Sequence, residues 1–243
     1  MSRNYWDTAR DYKQPDNAQL RKNASLTEKK EKQKGRKLEP VIIEGRKIVT
    51  TWWGQAWCDN LEKYADYESR LERGTRYVRT GAVIDLKIQK GKIQAKVQGS
   101  RKTPYKVEIR ISPVSEARCQ DIISRCNRKV GNLEQLLAGN FPEEMKELFQ
   151  EDGGLFPQPR EISFTCSCPD WALLCKHVAA VLYGVGARLD EEPTLFFELR
   201  SIEMERFIDV ALANKVEAML ANAQKPSSRI ITGQDLESLF GVI

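Results

Sequence analysis

The sequence predicts an α+β fold: an antiparallel β-meander with flanking helices, joined to a ββα-like element organised by a metal. Three observations predict it. Residues 79–111 alternate apolar and polar side chains with a period of two. The segments on either side repeat their apolar residues at helical spacing. Residues 166–177 read Cys-Ser-Cys-Pro-Asp-Trp-Ala-Leu-Leu-Cys-Lys-His, a concentration of metal donors in a chain that has six cysteines and one histidine.

The meander is read strand by strand. Ile84, Leu86 and Ile88 alternate with Asp85, Lys87 and Gln89, and Lys90-Gly91 makes a tight turn. Ile93, Ala95 and Val97 alternate with Lys92, Gln94, Lys96 and Gln98; after a loop, Val107, Ile109 and Ile111 alternate with Lys106, Glu108 and Arg110. Period two sends the apolar set to one face and the polar set to the other. The polar face then carries Lys87, Lys92, Lys96, Lys106 and Arg110, with Arg73, Arg76, Arg79, Arg101 and Lys102 at its margins. Charge is segregated along the chain. Residues 73–110 hold 11 Lys/Arg against 2 acids and residues 1–47 hold 13 against 7, although the whole chain nets only +5. An anion-binding face requires such segregation, which makes these ten cations candidate nucleic-acid contacts. Exposed strand lysines also serve solubility and block edge pairing, so the bland reading stands beside the sharp one.

The helical segments flank this sheet. Residues 48–61 carry Trp52, Trp53 and Trp57; aromatic core packing explains them, and Trp52 is the candidate for base stacking because two adjacent tryptophans do not easily enter one core. Ser115 is an N-cap followed by the stripe Cys119, Ile122, Ile123, Cys126 and Val130. Core positions explain Cys119 and Cys126, and Cys58 reads as a small buried hydrophobe. Two short helices are expected at 132–138 and 142–150, a helix at 171–189 and an amphipathic helix at 201–224. A linker at 225–228 then leads to an apolar run, 232–243. Composition divides the chain into a basic, disordered or weakly helical arm (1–47), an α+β domain (48–159), the metal element (160–200) and a helical tail (201–243).

The metal donors have the spacing C-x-C, six residues, C-x-H: Cys166, Cys168, Cys175 and His177. Three thiolates and one imidazole close a tetrahedral shell around one Zn²⁺, and a shell with no open position is structural rather than catalytic. Cys166 and Cys168 lie two apart in a strand (161–168), so both sulfurs point to one side. Pro169-Asp170 is a turn signal. Cys175 and His177 are expected at a helix N-terminus, where the helix dipole favours a thiolate. No secretory signal precedes the cysteines, which argues against disulfides.

This constellation resembles the SWIM zinc finger. The phrases TWWGQAW (51–57), RLERGTRYVRTGAV (70–83), KVQGSRKTPYKVEI (96–109), LLAGNFP (136–142), CSCPDWALLCKHVAAVLY (166–183) and PTLFFELR (193–200) are similar to bacterial SWIM zinc finger family proteins, over about residues 48–202. One departure is Leu174, where many relatives carry a proline before the third cysteine. The resemblance implies a zinc-binding module used for DNA or protein interaction, often associated with a Swi/Snf-type helicase-like ATPase.

Several classes are not expected. No apolar run approaches the ~18–20 residues that span a bilayer, so a cytoplasmic protein is expected. No phosphate-binding glycine loop or nucleophile motif appears, and the one histidine is committed to metal, so no enzyme is expected. Two readings remain: an accessory protein that binds nucleic acid, DNA first, through its basic arm and sheet, or a protein-interaction adaptor for the ATPase without nucleic-acid contact.

Overall fold

The predicted alternation becomes a sheet with one apolar and one polar face. In the computed structural model, which describes residues 15–129 and 141–223, β1 (Val83–Gln89), β2 (Lys92–Val97) and β3 (Tyr105–Ile111) form the antiparallel meander. Gly91 closes the first hairpin at φ 63°, a left-handed conformation that glycine enters without Cβ strain. A fourth strand, β4 (Ile162–Cys166), pairs antiparallel with β3 and gives the order β1-β2-β3-β4. The strand of the metal segment therefore completes the meander, with β3 as its partner, instead of forming a hairpin of its own.

Register sorts the side chains. Leu86, Ala95, Val107 and Cys166 lie in one row across the sheet, and Ile88, Ile93, Ile109 and Phe164 in the next. These rows face the core. The intervening rows are polar: Asp85, Lys96 and Lys106; Lys87, Gln94, Glu108 and Thr165; Gln89, Lys92, Arg110 and Ser163.

Helix α6 (Lys176–Glu191) covers the apolar face; its alanines, valines and leucines are buried almost all round. A helix apolar on every side needs partners on every side. The sheet supplies one, and α2 (Trp52–Leu61) and α3 (Glu68–Arg79) supply others. Close approach is required at Gly74 of α3: a Cβ there would lie 2.5 Å from the Cβ of Ala179. The three tryptophans of α2 donate their indole N–H groups to backbone carbonyls, Trp52 to Phe141 (2.8 Å), Trp53 to Leu189 (2.9 Å) and Trp57 to Leu182 (2.9 Å). Trp52 and Trp53 both pack on the core edge-to-face, 5.6 Å apart, which corrects the expectation that one of them must be left for base stacking. The T-shaped arrangement is what admits both.

The N-terminal arm is also corrected. Residues 17–33, expected to be disordered or weakly helical, form helix α1 (Asn17–Gln33). Asp16 caps it by accepting from the Gln19 N–H, and Leu20 and Ala24 are buried. Thr27 and Asn23 reach the end of β2, at Gln98 and Gly99. Two buried apolar residues one turn apart anchor a helix that composition alone marks as solvated. The chain then runs extended along β1, with Val41 N–H donating to Val83 and Leu86 N–H to Glu39.

Helices α4 (Glu116–Lys129), α5 (Lys146–Gln150), α7 (Leu195–Leu199) and α8 (Met204–Ala223) complete the described fold. Cys119 and Cys126 are buried on α4 as expected, and burial pushes the Cys58 thiol up to about 12. Arg200 is buried, donating to the Ser112 carbonyl (2.9 Å) and pairing with Glu161 (2.8 Å), so it ties the end of β3 to the start of β4. The segments that composition separates share this sheet and one core, which includes residues from Leu20 to Phe207. The predicted helix at 132–138, Val130, the linker at 225–228 and the apolar run at 232–243 lie outside the described residues. No helix among the described residues is long and apolar enough to cross a membrane.

Candidate metal centre and cationic face

Each of the four metal donors is held by a different local device. Cys166 ends β4 on the core face, opposite Val107. Ser167 continues the pairing: its N–H donates to the Lys106 carbonyl (3.0 Å) and its hydroxyl accepts from the Lys106 N–H (2.9 Å). That keeps Cys168 on the same side as Cys166. Cys175 is the N-cap of α6, with extended backbone (φ −73°, ψ 163°), and its carbonyl accepts the first helical hydrogen bond from Ala179. His177 is the second residue of α6; its ring stacks on Tyr105 (4.1 Å) and meets Tyr77 edge-on (5.4 Å). Two aromatic walls from β3 and α3 thus set the imidazole plane. Neither wall is visible in the twelve-residue motif.

The loop between the ligand pairs corrects the expected helix boundary. Residues 171–174 are not helical, and α6 starts at Lys176. Asp170 holds this loop, accepting from Ala172 N–H (3.3 Å) and from Arg70 (3.2 Å). Ala172 and Leu174 turn inward while Trp171 (81% exposed) and Leu173 (66%) turn outward. Leu174 is fully buried, so its side chain belongs to the core. An N-cap requires non-helical backbone, which is why the helix cannot begin before Cys175.

The donors converge. Three sulfurs and one ring nitrogen all lie within 4.8 Å of one another. His177 Nδ1 is 3.8 Å from the Cys166 sulfur and 4.0 Å from that of Cys175. A tetrahedral zinc shell with ordinary Zn–S and Zn–N lengths has edges of about 3.5–3.8 Å. The donor set and its spacing therefore fit one zinc ion with Nδ1 as the imidazole ligand. The other ring nitrogen, Nε2, is buried without a hydrogen-bond partner.

Electrostatics point the same way. Burial holds the His177 pKa below its ordinary value, so the ring stays neutral, as a ligand must. Hydrogen bonds from the Cys166 and Cys175 thiols hold Cys168 far below the usual thiol range, and donating that bond pushes Cys166 up. Protein groups alone thus favour one thiolate among three sulfurs. A divalent cation is what lets all three ionise side by side, helped by the positive end of α6 at Cys175. Four protein ligands leave no open position. Cys166, Cys168, Cys175 and His177 are positioned to bind one zinc ion that would crosslink the end of β4 to the start of α6.

The cationic candidates are placed less simply. Lys87, Lys92, Lys96, Lys106 and Arg110 do share the open face of the sheet. That face is not as free of acids as expected. Glu108 pairs with Lys92 (3.0 Å) and Arg110 (2.8 Å), and Asp85 pairs with Lys96 (2.9 Å). Both acids stand at polar positions of the alternation, so the register contained them; judging charge by the balance of a whole segment hid them. Arg73, Arg76 and Arg79 belong to α3, which packs on α6 behind the apolar side of the sheet, so they do not join its open face. Arg76 is half-buried and donates to the Pro15 carbonyl (3.2 Å). Arg101 and Lys102 are exposed in the β2–β3 loop, with the Arg101 guanidinium over the Tyr105 ring (5.5 Å).

The structure adds a wall that sequence reasoning treated as a loose arm. The C-terminal half of α1 and the β2–β3 loop enclose a groove of about 280 Å³, lined by Lys30, Lys34, Arg36, Lys96, Lys102 and Lys106 with one carboxylate, Glu31. Lys96 and Lys106 also line a basin of about 590 Å³ on the open sheet face, which makes groove and basin continuous.

Comparison with known proteins agrees with the metal site. The SWIM zinc finger family matches residues 164–185, which contain all four ligands. Over 160 residues the chain is 36% identical to the uncharacterized protein Rv2102 of Mycobacterium tuberculosis, a match covering 65% of this chain and 57% of that protein. No solved structure matches the chain at a significant level. The chain carries a SWIM zinc finger, built from the last strand of its sheet and the first turn of its central helix.

Proposed function

We propose that this is a zinc-organised accessory protein that binds nucleic acid, DNA first, and works beside a Swi/Snf-type helicase-like ATPase. The single observation that carries the nucleic-acid part is the groove between α1 and the β2–β3 loop, where six cations surround one carboxylate. A soluble surface without an anionic partner intersperses both signs. Here the metal is a structural crosslink and no side chain is assigned a catalytic role. The ATPase partnership rests on the family resemblance.

A second reading, a protein adaptor without nucleic-acid contact, is favoured by the loop between the metal ligands. It presents Trp171 and Leu173 to solvent, beside the half-exposed Tyr67, whose ring meets Trp171 edge-on at 6.1 Å. Exposed aromatic anchors on a rigid loop are typical of protein interfaces.

The test is zinc stoichiometry by elemental analysis, followed by titration of labelled DNA between about 50 and 200 mM salt. One zinc per chain and steeply salt-dependent binding are expected. DNA binding that is absent at low salt, together with retention of the ATPase in a pull-down, would leave the adaptor reading in place.

A further inference from the structure

We infer that the groove between α1 and the β2–β3 loop holds the sugar–phosphate backbone of a double helix, in preference to a single strand. This rests on the nucleic-acid reading above and names the form of the polymer. Two observations carry it. The first is the lack of stacking surfaces among the described residues of the groove. Single-stranded nucleic acid is held largely by bases laid on aromatic rings, in combination with a basic groove. Among the described residues, the outward positions of the four strands are Asp85, Lys87, Gln89, Lys92, Gln94, Lys96, Lys106, Glu108, Arg110, Ser163 and Thr165, with Ser167 beyond β4. None is aromatic, and among the described residues no aromatic side chain lines the groove or the adjoining basin. The exposed aromatics of the described residues, Trp171 on the metal loop and Tyr67 at the start of α3, sit beside the carboxylate of Asp66, which accepts from the Leu173 N–H.

The second observation is where charge stays uncompensated. Glu31 neutralises Lys34 and Arg36, and Asp85 neutralises Lys96. Lys30, Lys102 and Lys106 line the same groove, and among the described residues no carboxylate pairs with them. Lys106 also stands directly across from Lys96 in the β2–β3 register. Like charges directly opposite are destabilising in a sheet; Asp85 offsets Lys96, and Lys106 is left for a second anion. Among the described residues the groove thus offers cations for phosphate and no aromatic ring for base stacking. A stacked duplex, with its bases paired inside and its phosphates outside, matches that offer; an unpaired strand leaves its bases in water.

The experiment is fluorescence anisotropy on the full zinc-loaded chain, with a labelled duplex and the same labelled sequence as a single strand. Each is titrated from about 50 to 200 mM salt. The variant is K30Q/K102Q/K106Q, which changes only exposed side chains, checked for an unchanged melting curve; K146Q, on α5, is the control. The wild type is expected to bind the duplex more tightly than the strand. The triple variant is expected to lower the slope of log K against log salt by about 2.7, since each duplex phosphate neutralised contributes about 0.9. The control is expected to match wild type. Tighter binding of the single strand, or a triple variant with the wild-type slope, overturns this inference and leaves nucleic-acid binding intact. Failure of the wild type to bind either polymer at the lowest salt overturns the functional reading as well.

Discussion

Cys166 and Lys96 lie on the same sheet and face opposite sides of it. Beneath the sheet, four donors drawn from twelve consecutive residues converge within 4.8 Å, in a setting of buried aliphatic and aromatic side chains. Above it, cations gathered from α1, β1, β2, β3 and the β2–β3 loop are spread over an open basin and groove, and several are already paired. The difference teaches how far a residue type can be trusted as a signal. A buried donor has few alternatives, because leaving it unsatisfied is costly. A surface lysine has water as an alternative partner and any nearby carboxylate as another. The interior should therefore respond to small changes with large effects, and the open face to large changes with small ones.

The strongest way to break that contrast is to remove the metal. Cys166→Ala, or chelation of the wild type, is expected to lose zinc and about 10 kcal/mol of stabilisation, the scale of structural zinc in small fingers. Because α6 is the central helix of the core, the loss should melt the whole sheet and helix assembly. Circular dichroism melts with and without chelator check this, alongside elemental analysis. Survival of a cooperative, unshifted melt in metal-free protein would mean that the four donors contribute nothing to the fold.

Arg200→Ala comes next. It strands Glu161 and leaves the Ser112 carbonyl without its donor, and removing one partner of a buried pair costs about 3–5 kcal/mol. Denaturant unfolding should show the drop in midpoint. Gly74→Ala follows, at about 1–3 kcal/mol, because the added Cβ must push α3 away from Ala179. A neutral result there would mean that the α3–α6 contact is looser than described.

The open face should give the smallest effects on stability. Lys92→Gln breaks only the part-exposed pair with Glu108, so the fold should persist with a shift smaller than that of Gly74→Ala. Unfolding of that variant would mean the register is wrong. The smallest change is one of pH. Hydrogen bonds from Lys92 and then Arg110 hold the Glu108 carboxyl below its ordinary range. A depressed carboxyl stabilises the folded state above its unfolded pKa, and that contribution disappears as pH falls through its folded value. Wild type and Glu108→Gln should therefore differ slightly at neutral pH and converge in acid, read as denaturation midpoints across a pH series.

Much of this was legible before any coordinates. Alternation at 84–97 and 106–111 placed the strands, and the C-x-C/C-x-H spacing placed the metal ligands on a strand end and a helix start. The misses have a common cause. The arm became helix α1 because Leu20 and Ala24 found a wall to bury against, and nothing within residues 17–33 announces that wall. The helix expected from Trp171 starts later because Cys175 must cap it, and Trp52 joined the core because Phe141 and Phe149 lie where its ring and indole N–H can use them. Glu108 and Asp85 were visible as residues; their partners were set by register.

By itself the sequence determined what is local: the period of each strand, the tight turn at Gly91, the donor set of the metal centre and the apolar stripe of α4. Those follow from covalent spacing, since neighbours in the chain cannot be far apart. Only the tertiary structure decided that β3 is the partner of β4, that Tyr77 and Tyr105 clamp His177, and that α1 and the β2–β3 loop form one cationic groove. These are contacts between residues distant along the chain, and their energies come from burial and from charges whose neighbours are chosen by packing.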